Sequence, residues 1–276
     1  MTLIAFNGAN FVGRELGYTD FEGTPGWMAA DQATQERFAP LETFGTRFSE
    51  VLDHVSALGF EAIDIWTAHL HPSWATPEHV AVARQALDSR RIQAISLGGR
   101  PGDTREEFDR TCRVLEGIGA RVIAGMSSLP LTDPDWVCSR LEQGDLVFGW
   151  ENHPERTPEE VLEKIPANGD GRIGITIDTG WWGTQGYDAA RAIEQLGDRL
   201  VYVHLKDVRE PGTHVTCRFG DGVVPIEGCL EALAKIGYMG PISIEHEPPN
   251  YDPSDEVADS LRLVQQWLDA ALQGVN

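Results

Sequence analysis

The chain reads as an α/β protein, a (β/α)8 TIM barrel forming a single domain over residues 1–276. Three observations predict this. Short, β-rich apolar runs recur eight times. Most of them are followed by an amphipathic stretch with a recognisable helix start. The alternation continues over about 250 residues without a linker-like break. A doubly wound open sheet is the alternative, and the lack of a Gly-x-Gly-x-x-Gly after the first strand weighs against its dinucleotide-binding form.

The runs are Leu3–Phe6, Ala62–Trp66, Gln93–Leu97, Arg121–Gly125, Leu146–Trp150, Ile173–Ile177, Leu200–Val203 and Pro241–Ile244. Thr76-Pro77-Glu78 opens a helical pattern to about Arg90, with proline at the first helical position. Thr104 with Glu107, before Phe108 to Ile118, forms a capping-box pattern; so does Thr157 with Glu160, before Val161 to Ile165. Asp188 to Leu196, Ile226 to Ile236 and Asp255 to Leu272 keep the same helical period, and Gly119, Gly197 and Gly237 stand where helices should stop. Two connections are long. Residues 9–44 carry Phe11, Tyr18, Phe21, Trp27, Phe38 and Phe44, and residues 207–222 follow the seventh run. Long ordered loops above the C-terminal face of a barrel read as lids or binding walls.

Composition narrows the function. The 43 acidic and 22 basic residues give a net charge of −21, a surface that repels phosphate backbones and anionic lipid heads. Nucleic acid and membrane are therefore not expected partners. Cys112, Cys138, Cys217 and Cys229 are scattered and form no C-x-x-C pair, which fits reduced thiols in a cytoplasmic protein. The start, MTLIAFNGANF, has neither the basic nor the long apolar region of a signal peptide. No apolar run approaches the ~20 residues of a membrane span.

The chemistry lies in how the last four strands end. Strand five, VFGWE, ends in Glu151; strand six, IGITID, in Asp178; strand seven, LVYVH, in His204; and strand eight, PISIE, in Glu245. A barrel brings these four ends to one side of one mouth. Three carboxylates crowded there without a cation would cost several kcal/mol or be forced to hold protons. An oxygen-rich set with one imidazole suits one hard or borderline divalent ion. Mn2+ is the first expectation; Mg2+, Co2+ and Zn2+ are also compatible.

At these residues the chain resembles the sugar phosphate isomerase/epimerase family, the xylose-isomerase-like TIM barrels that include the AP-endonuclease branch. The stretches ENH at 151–153, IDTG at 177–180, VHLKD at 203–207 and SIEHE at 243–247 carry the resemblance, and GFEAIDIW at 59–66 looks like the family's second strand. The resemblance implies that Glu151, Asp178, His204 and Glu245 hold one divalent ion. It also implies that Glu151 and Glu245 act as an acid/base pair, with Glu247 competing for the strand-eight role. The sequence departs from the pattern where many members have a histidine: Trp181 stands there, followed by Trp182. No Asp-x-His of the endonuclease branch occurs near Gly220-Asp221-Gly222.

Other residues near the mouth have candidate roles. His153, two residues after Glu151, should face the same way and bind a hydroxyl or act as a base. Lys206 is a substrate contact or an ion-pair partner of Asp207. Arg218 could bind a hydroxyl, carboxylate or phosphate. Trp66, His69 and His71 follow strand two as pocket residues, and Trp181 offers a flat face to a sugar ring. No phosphate loop is present, and Gly98-Gly99-Arg100 is the nearest basic candidate.

The expected substrate is a small carbohydrate without phosphate: a sugar, a keto-sugar or a cyclitol. The expected reaction is a metal-dependent isomerisation or epimerisation. The alternative is a lyase on the same scaffold, such as a keto-inositol or dehydroshikimate dehydratase or a 3-keto-glycoside deglycosidase. Barrels of this kind often pair, so a homo-oligomer is also expected. If residues 9–44 form a lid, deleting residues 18–38 should impair turnover more than metal binding, and equal loss of both in steady-state and metal-titration assays would reject the lid.

Overall fold

Eight parallel strands close into a barrel in sequence order, the last pairing with the first. They are β1 (Ile4–Asn7), β2 (Ala62–Trp66), β3 (Gln93–Gly99), β4 (Val122–Gly125), β5 (Val147–Glu151), β6 (Ile173–Asp178), β7 (Leu200–Leu205) and β8 (Ile242–Ile244). The computed structural model describes residues 2–19, 23–166 and 171–274. Phe21 lies outside the described residues. Among them, no helix is long and apolar enough to cross a membrane.

The helices are α1 (Gly23–Phe38), α2 (Leu41–Ala57), α3 (Pro77–Arg90), α4 (Arg105–Ile118), α5 (Leu129–Thr132), α6 (Pro134–Gly144), α7 (Pro158–Leu162), α8 (Thr179–Gln185), α9 (Ala189–Leu196), α10 (Ile226–Lys235) and α11 (Ser254–Gly274). Start signals work as expected at α3 and α4. Thr104 accepts the backbone N–H of Glu107, whose carboxylate accepts the N–H of Thr104 in return. At α7 only half of the box forms, because Glu160 turns instead to the N–H of Arg156. Gly119 and Gly237 take left-handed conformations at helix ends, whereas Gly197 stays right-handed (φ −50°) and leads into a 3-10 turn.

Alternation along the strands, interrupted in β3 where the register with β2 shifts at Ile95, separates two cores. Phe6, Ile63, Leu97, Ile123, Phe148 and Ile175 face the surrounding helices. Ala5, Ala62, Ile95, Val122, Ala124 and Tyr202 fill the barrel interior. Toward the C-terminal mouth the buried side chains become polar: Asp64, Glu151, Asp178, His204 and Glu245.

Neither long connection is an irregular loop. Residues 9–44 contain two 3-10 turns, all of α1 and the start of α2, and α1 packs against the turn Thr67–His69 that follows β2. Residues 207–222 contain a short antiparallel ribbon, Asp207–Val208 with Thr216–Cys217. The ribbon is organised by the buried Asp207 carboxylate, which accepts the N–H groups of Val208, Gly220, Gly222 and Val224 at 2.9–3.1 Å.

At the ends of β3 and β4 the backbones approach closely. A Cβ at Gly125 would lie 1.6 Å from the carbonyl oxygen of Gly99, with which Gly125 pairs. Gly125→Ala must therefore push β3 and β4 apart, and such overpacking typically costs about 1–3 kcal/mol. It is expected to destabilise the chain more than Thr104→Ala, which loses a cap contributing about 1 kcal/mol. Urea denaturation of both variants checks the order.

Candidate metal centre

Glu151 and Asp178 are the last residues of β5 and β6, His204 is next to last in β7, and Glu245 directly follows β8. Asp178 and His204 are register partners across the β6–β7 pair. One potential ligand atom from each of the four lies within 4.8 Å of the others. Their exposures are 7%, 0%, 2% and 5%, so the group is enclosed. Surface clefts of about 350 Å3 lie elsewhere, beside Arg84 and Asp88 and beside Glu155 and Lys164, and include none of the four.

Local structure orients each group. Asn152 clamps the ends of β5 and β6: its Oδ1 accepts the N–H of Asp178 at 2.9 Å, and its Nδ2 donates to the carbonyl of Asp178 at 3.0 Å. Asp178 caps α8, with Oδ1 accepting the N–H groups of Gly180 (2.8 Å) and Trp181 (3.1 Å). That leaves its Oδ2 buried with no aligned hydrogen bond, its one charge contact being the Lys206 ammonium at 3.0 Å, and Glu245 Oε2 is in the same state beside His204 Nδ1 at 3.1 Å. Buried carboxylate oxygens seldom lack an aligned hydrogen bond. Two such oxygens beside a glutamate and an imidazole, with no thiolate, form a donor set that fits a hard or borderline divalent cation.

A second tier of charge surrounds the four. His204 Nδ1 is 2.9 Å from Glu151 Oε1 and 3.1 Å from Glu245 Oε2, and its Nε2 is 2.9 Å from Asp64 Oδ2. The predicted ion pair between Lys206 and Asp207 does not form. Consecutive strand residues face opposite ways, so Asp207 turns to the ribbon while Lys206 enters the mouth. Lys206 Nζ lies 3.0 Å from Asp178 Oδ2, 2.8 Å from Glu245 Oε1 and 2.6 Å from Glu247 Oε1. Glu247, the rival to Glu245 for the strand-eight role, therefore holds Lys206, and its other oxygen accepts Trp27 Nε1 from α1 at 3.0 Å.

Burial opposes charge on every member, and the neighbours decide the outcome. For Lys206, burial is outweighed by Asp178, Glu245 and Glu247, which raise its pKa; for His204 it is outweighed by Glu151 and Glu245. Against the same burial, His204 and His153 bring Glu151 down to about 2, and Lys206 holds Glu247 below the usual carboxylate range. Glu245 goes the other way: burial and the adjacent Glu247 push it up to about 8. A divalent cation in the cluster would favour the ionised carboxylates, Glu245 included, and the neutral, ligating form of His204.

The remaining predicted residues divide. His153 sits beside the site, with Nδ1 bonded to the carbonyl of Glu151 at 3.2 Å and its ring 5.3 Å from that of Trp181. The flat face predicted for Trp181 is partly taken: His214 stacks on it at 3.9 Å and 16°. His69 is buried against Phe38 and Trp66 beneath α1, and its Nδ1 has no partner. Arg218 is not drawn into the cluster; its guanidinium pairs with Asp221 at 2.8 Å. His71 bonds to Ser73, and Trp66 packs edge-on against Trp27.

Sequence reading missed Asp64, Asn152 and His214. A carboxylate inside the apolar run AIDIW was the available signal for Asp64, and the ENH motif already contained Asn152. His214 lies within the 207–222 connection already read as a binding wall, but no motif singled out the residue that reaches Trp181.

The model of the xylose isomerase-like TIM barrels matches residues 52–269. L-ribulose-5-phosphate 3-epimerase UlaE of Escherichia coli (strain K12 / DH10B) is 39% identical over 74 residues, which are 26% of this chain and 24% of that protein. The match thus spans about a quarter of the curated relative. Among solved structures, an L-ribulose 3-epimerase superposes with a TM-score of 0.70 at 15% identity, covering 100% of this chain and 97% of the other. The probable 3-DHS dehydratase AsbF of Bacillus anthracis superposes with a TM-score of 0.65 at 12% identity, covering 96% and 99%. At these identities the two structures show the shared fold.

Two outcomes follow from the geometry. Asn152→Asp places a carboxylate against the carbonyl of Asp178, and isothermal titration should show metal binding weakened at least tenfold while Asn152→Gln retains more of it. Burial holds His69 down to about 3 in the folded chain, against about 6.5 when unfolded. The unfolded state therefore takes up a proton first, and stability is lost as pH falls from about 6.5 toward 3. His69→Gln should lose less stability than the unmodified chain between pH 7 and pH 5 in urea unfolding.

Proposed function

The chain belongs to the xylose isomerase-like TIM barrels, and on that footing we propose that it is a divalent-metal-dependent isomerase or epimerase acting beside a carbonyl. The observation that carries the reading is the enclosed group Glu151, Asp178, His204 and Glu245, with ligand atoms within 4.8 Å of one another. The four residues would hold one ion. Such an ion supplies Lewis-acid polarisation of a substrate carbonyl and its neighbouring oxygen. Mn2+ is the first candidate, followed by Mg2+, Co2+ and Zn2+.

The chain's own residues then move the proton. β5 and β8 flank β6 and β7 in the barrel, so Glu151 and Glu245 approach the substrate from the two ends of one arc. One carboxylate removes the proton from the carbon next to the carbonyl. The other carboxyl returns a proton to the opposite face of that carbon, giving epimerisation, or to the adjacent carbon, giving isomerisation. His153 and Trp181 border the space where the rest of the substrate lies.

The substrate class follows from charge. Lys206, the ammonium in contact with the cluster, already faces three carboxylates. Arg218 is occupied by Asp221. A phosphate at the cluster would meet carboxylates and an ammonium already committed to them, so a neutral sugar, keto-sugar or cyclitol is the proposed substrate. The acidic surface, net charge −21, likewise disfavours nucleic acid and membranes and suits a cytoplasmic enzyme of small carbohydrates.

A second reading, elimination, draws on the His153–Trp181–His214 group, which sets two imidazoles 5.3 and 3.9 Å from the Trp181 ring. His214 is held neutral by burial and Lys206, so His153 is the imidazole that would hand a proton to a departing β-hydroxyl or aglycone.

Elemental analysis should find about one divalent ion per chain in protein purified without chelator, and none in folded Asp178→Asn and His204→Gln variants. Metal retained by both variants would reject the site. Glu151→Gln and Glu245→Gln should each lower kcat/KM by about 10²–10⁴-fold. Mass spectrometry of products separates the readings, since isomerisation conserves mass while dehydration removes water and deglycosylation releases an aglycone.

A further inference from the structure

One carboxylate at the mouth has no role in the chemistry above. Asp64 stands within β2 and is 0% exposed. Its Oδ2 lies 2.9 Å from Nε2 of His204. The other ring nitrogen, Nδ1, faces Glu151 Oε1 at 2.9 Å and Glu245 Oε2 at 3.1 Å. The imidazole thus has one edge toward the metal-binding glutamates and one edge toward Asp64.

The two strands that flank β2 build the seat of this carboxylate. On β1, Asn7 Oδ1 accepts the N–H of Ala9 at 2.9 Å, which fixes the amide so that its Nδ2 donates to Asp64 Oδ2 at 3.4 Å. On β3, Gly98 has no side chain where a Cβ would come within 3.2 Å of Asp64 Oδ1. The contact with His204 is close but bent: Nε2 is buried and has no aligned acceptor. Asp64 is the acceptor within reach, and a small rotation of the ring would bring the two into line. Active-site hydrogen bonds often straighten in this way only when the site is filled.

We propose that Asp64 is a positioning residue of the metal centre, accepting the Nε2–H of His204 and so turning Nδ1 toward the ion. A ligating imidazole usually gives its second N–H to such a partner, and losing the partner typically weakens metal binding by about 10–100-fold. The proposal rests on the metal-dependent reading and goes beyond it by naming what orients the only nitrogen ligand in the set.

The test compares Asp64→Ala and Asp64→Asn with the unmodified chain. Chelator competition gives the dissociation constants for Mn2+ and Co2+, and the visible spectrum of the Co2+ form reports ligand geometry. Asp64→Ala should bind both ions about 10–100-fold more weakly and shift the Co2+ spectrum. Asp64→Asn should recover most of both, because its amide oxygen can accept the same N–H. The thermal midpoint of the metal-free protein should change little in either variant. Affinity within twofold of the unmodified chain in Asp64→Ala overturns the proposal. So does an equal weakening in both variants that tracks a fall in metal-free stability, since that marks a purely structural charge.

A metal-free measurement keeps this distinct from the metal reading. In nitrogen-15 spectra, the Nε2 proton of His204 should exchange slowly in the unmodified chain and rapidly in Asp64→Ala. If the unmodified chain binds no metal, the metal reading fails by itself and these spectra decide the Asp64–His204 bond. Rapid exchange already present in the unmodified chain overturns it.

Discussion

Five carboxylates, Asp64, Glu151, Asp178, Glu245 and Glu247, converge on one ammonium and one imidazole inside the mouth of a parallel barrel. Most of what surrounds the site can be understood from this excess of buried negative charge. Paired charges in a low-dielectric setting are tolerated only with close geometry and with their remaining hydrogen-bonding capacity satisfied. The structure meets that condition for some members of the cluster. Within the ligand group, Asp178 Oδ2 and Glu245 Oε2 have charge contacts with Lys206 and His204 but no aligned hydrogen bond, and a divalent cation would engage both.

The supporting contacts are local and come in pairs. Asn152 bonds both the N–H and the carbonyl of Asp178, so the ends of β5 and β6 cannot slide independently. Thr179 Oγ1 donates to the carbonyl of Lys206 at 2.8 Å and accepts its N–H at 2.8 Å, which fixes the backbone from which the ammonium extends. Glu247 then links that ammonium to Trp27, so α1 is fastened to the charge cluster as well as to the apolar turn after β2. The covering helix and the charge cluster are thus one connected structure.

Aromatic side chains complete the enclosure. Trp181 lies between His153 and His214, and Trp27 lies against Trp66. His214 is anchored by Thr184 at 2.8 Å, and burial together with Lys206 brings its pKa down to about 4. A neutral imidazole stacked on an indole makes a polarisable wall with one hydrogen-bonding edge, a surface suited to a polyol.

The sequence by itself determined the barrel and the four residues at the strand ends. Both follow from periodicity: a period of two places Glu151, Asp178 and His204 on the inner face, and strand–helix alternation brings the strand ends to one mouth. Local cap chemistry likewise determined where α3 and α4 begin. Helices α5 and α8 escaped because they are short, and α8 follows its strand directly, where Asp178 serves as ligand candidate and cap together; α1 and α6 escaped although they are longer, α1 because its residues read as a long connection. Only the tertiary structure decided which charges meet. Lys206 lies next to Asp207 in the chain yet pairs with Asp178, Glu245 and Glu247, because the pleat sends neighbours to opposite faces. Asp64 and His204 are far apart in sequence and 2.9 Å apart in space. Periodicity along one chain can say which way a side chain points, but barrel closure across several strands sets what it finds there.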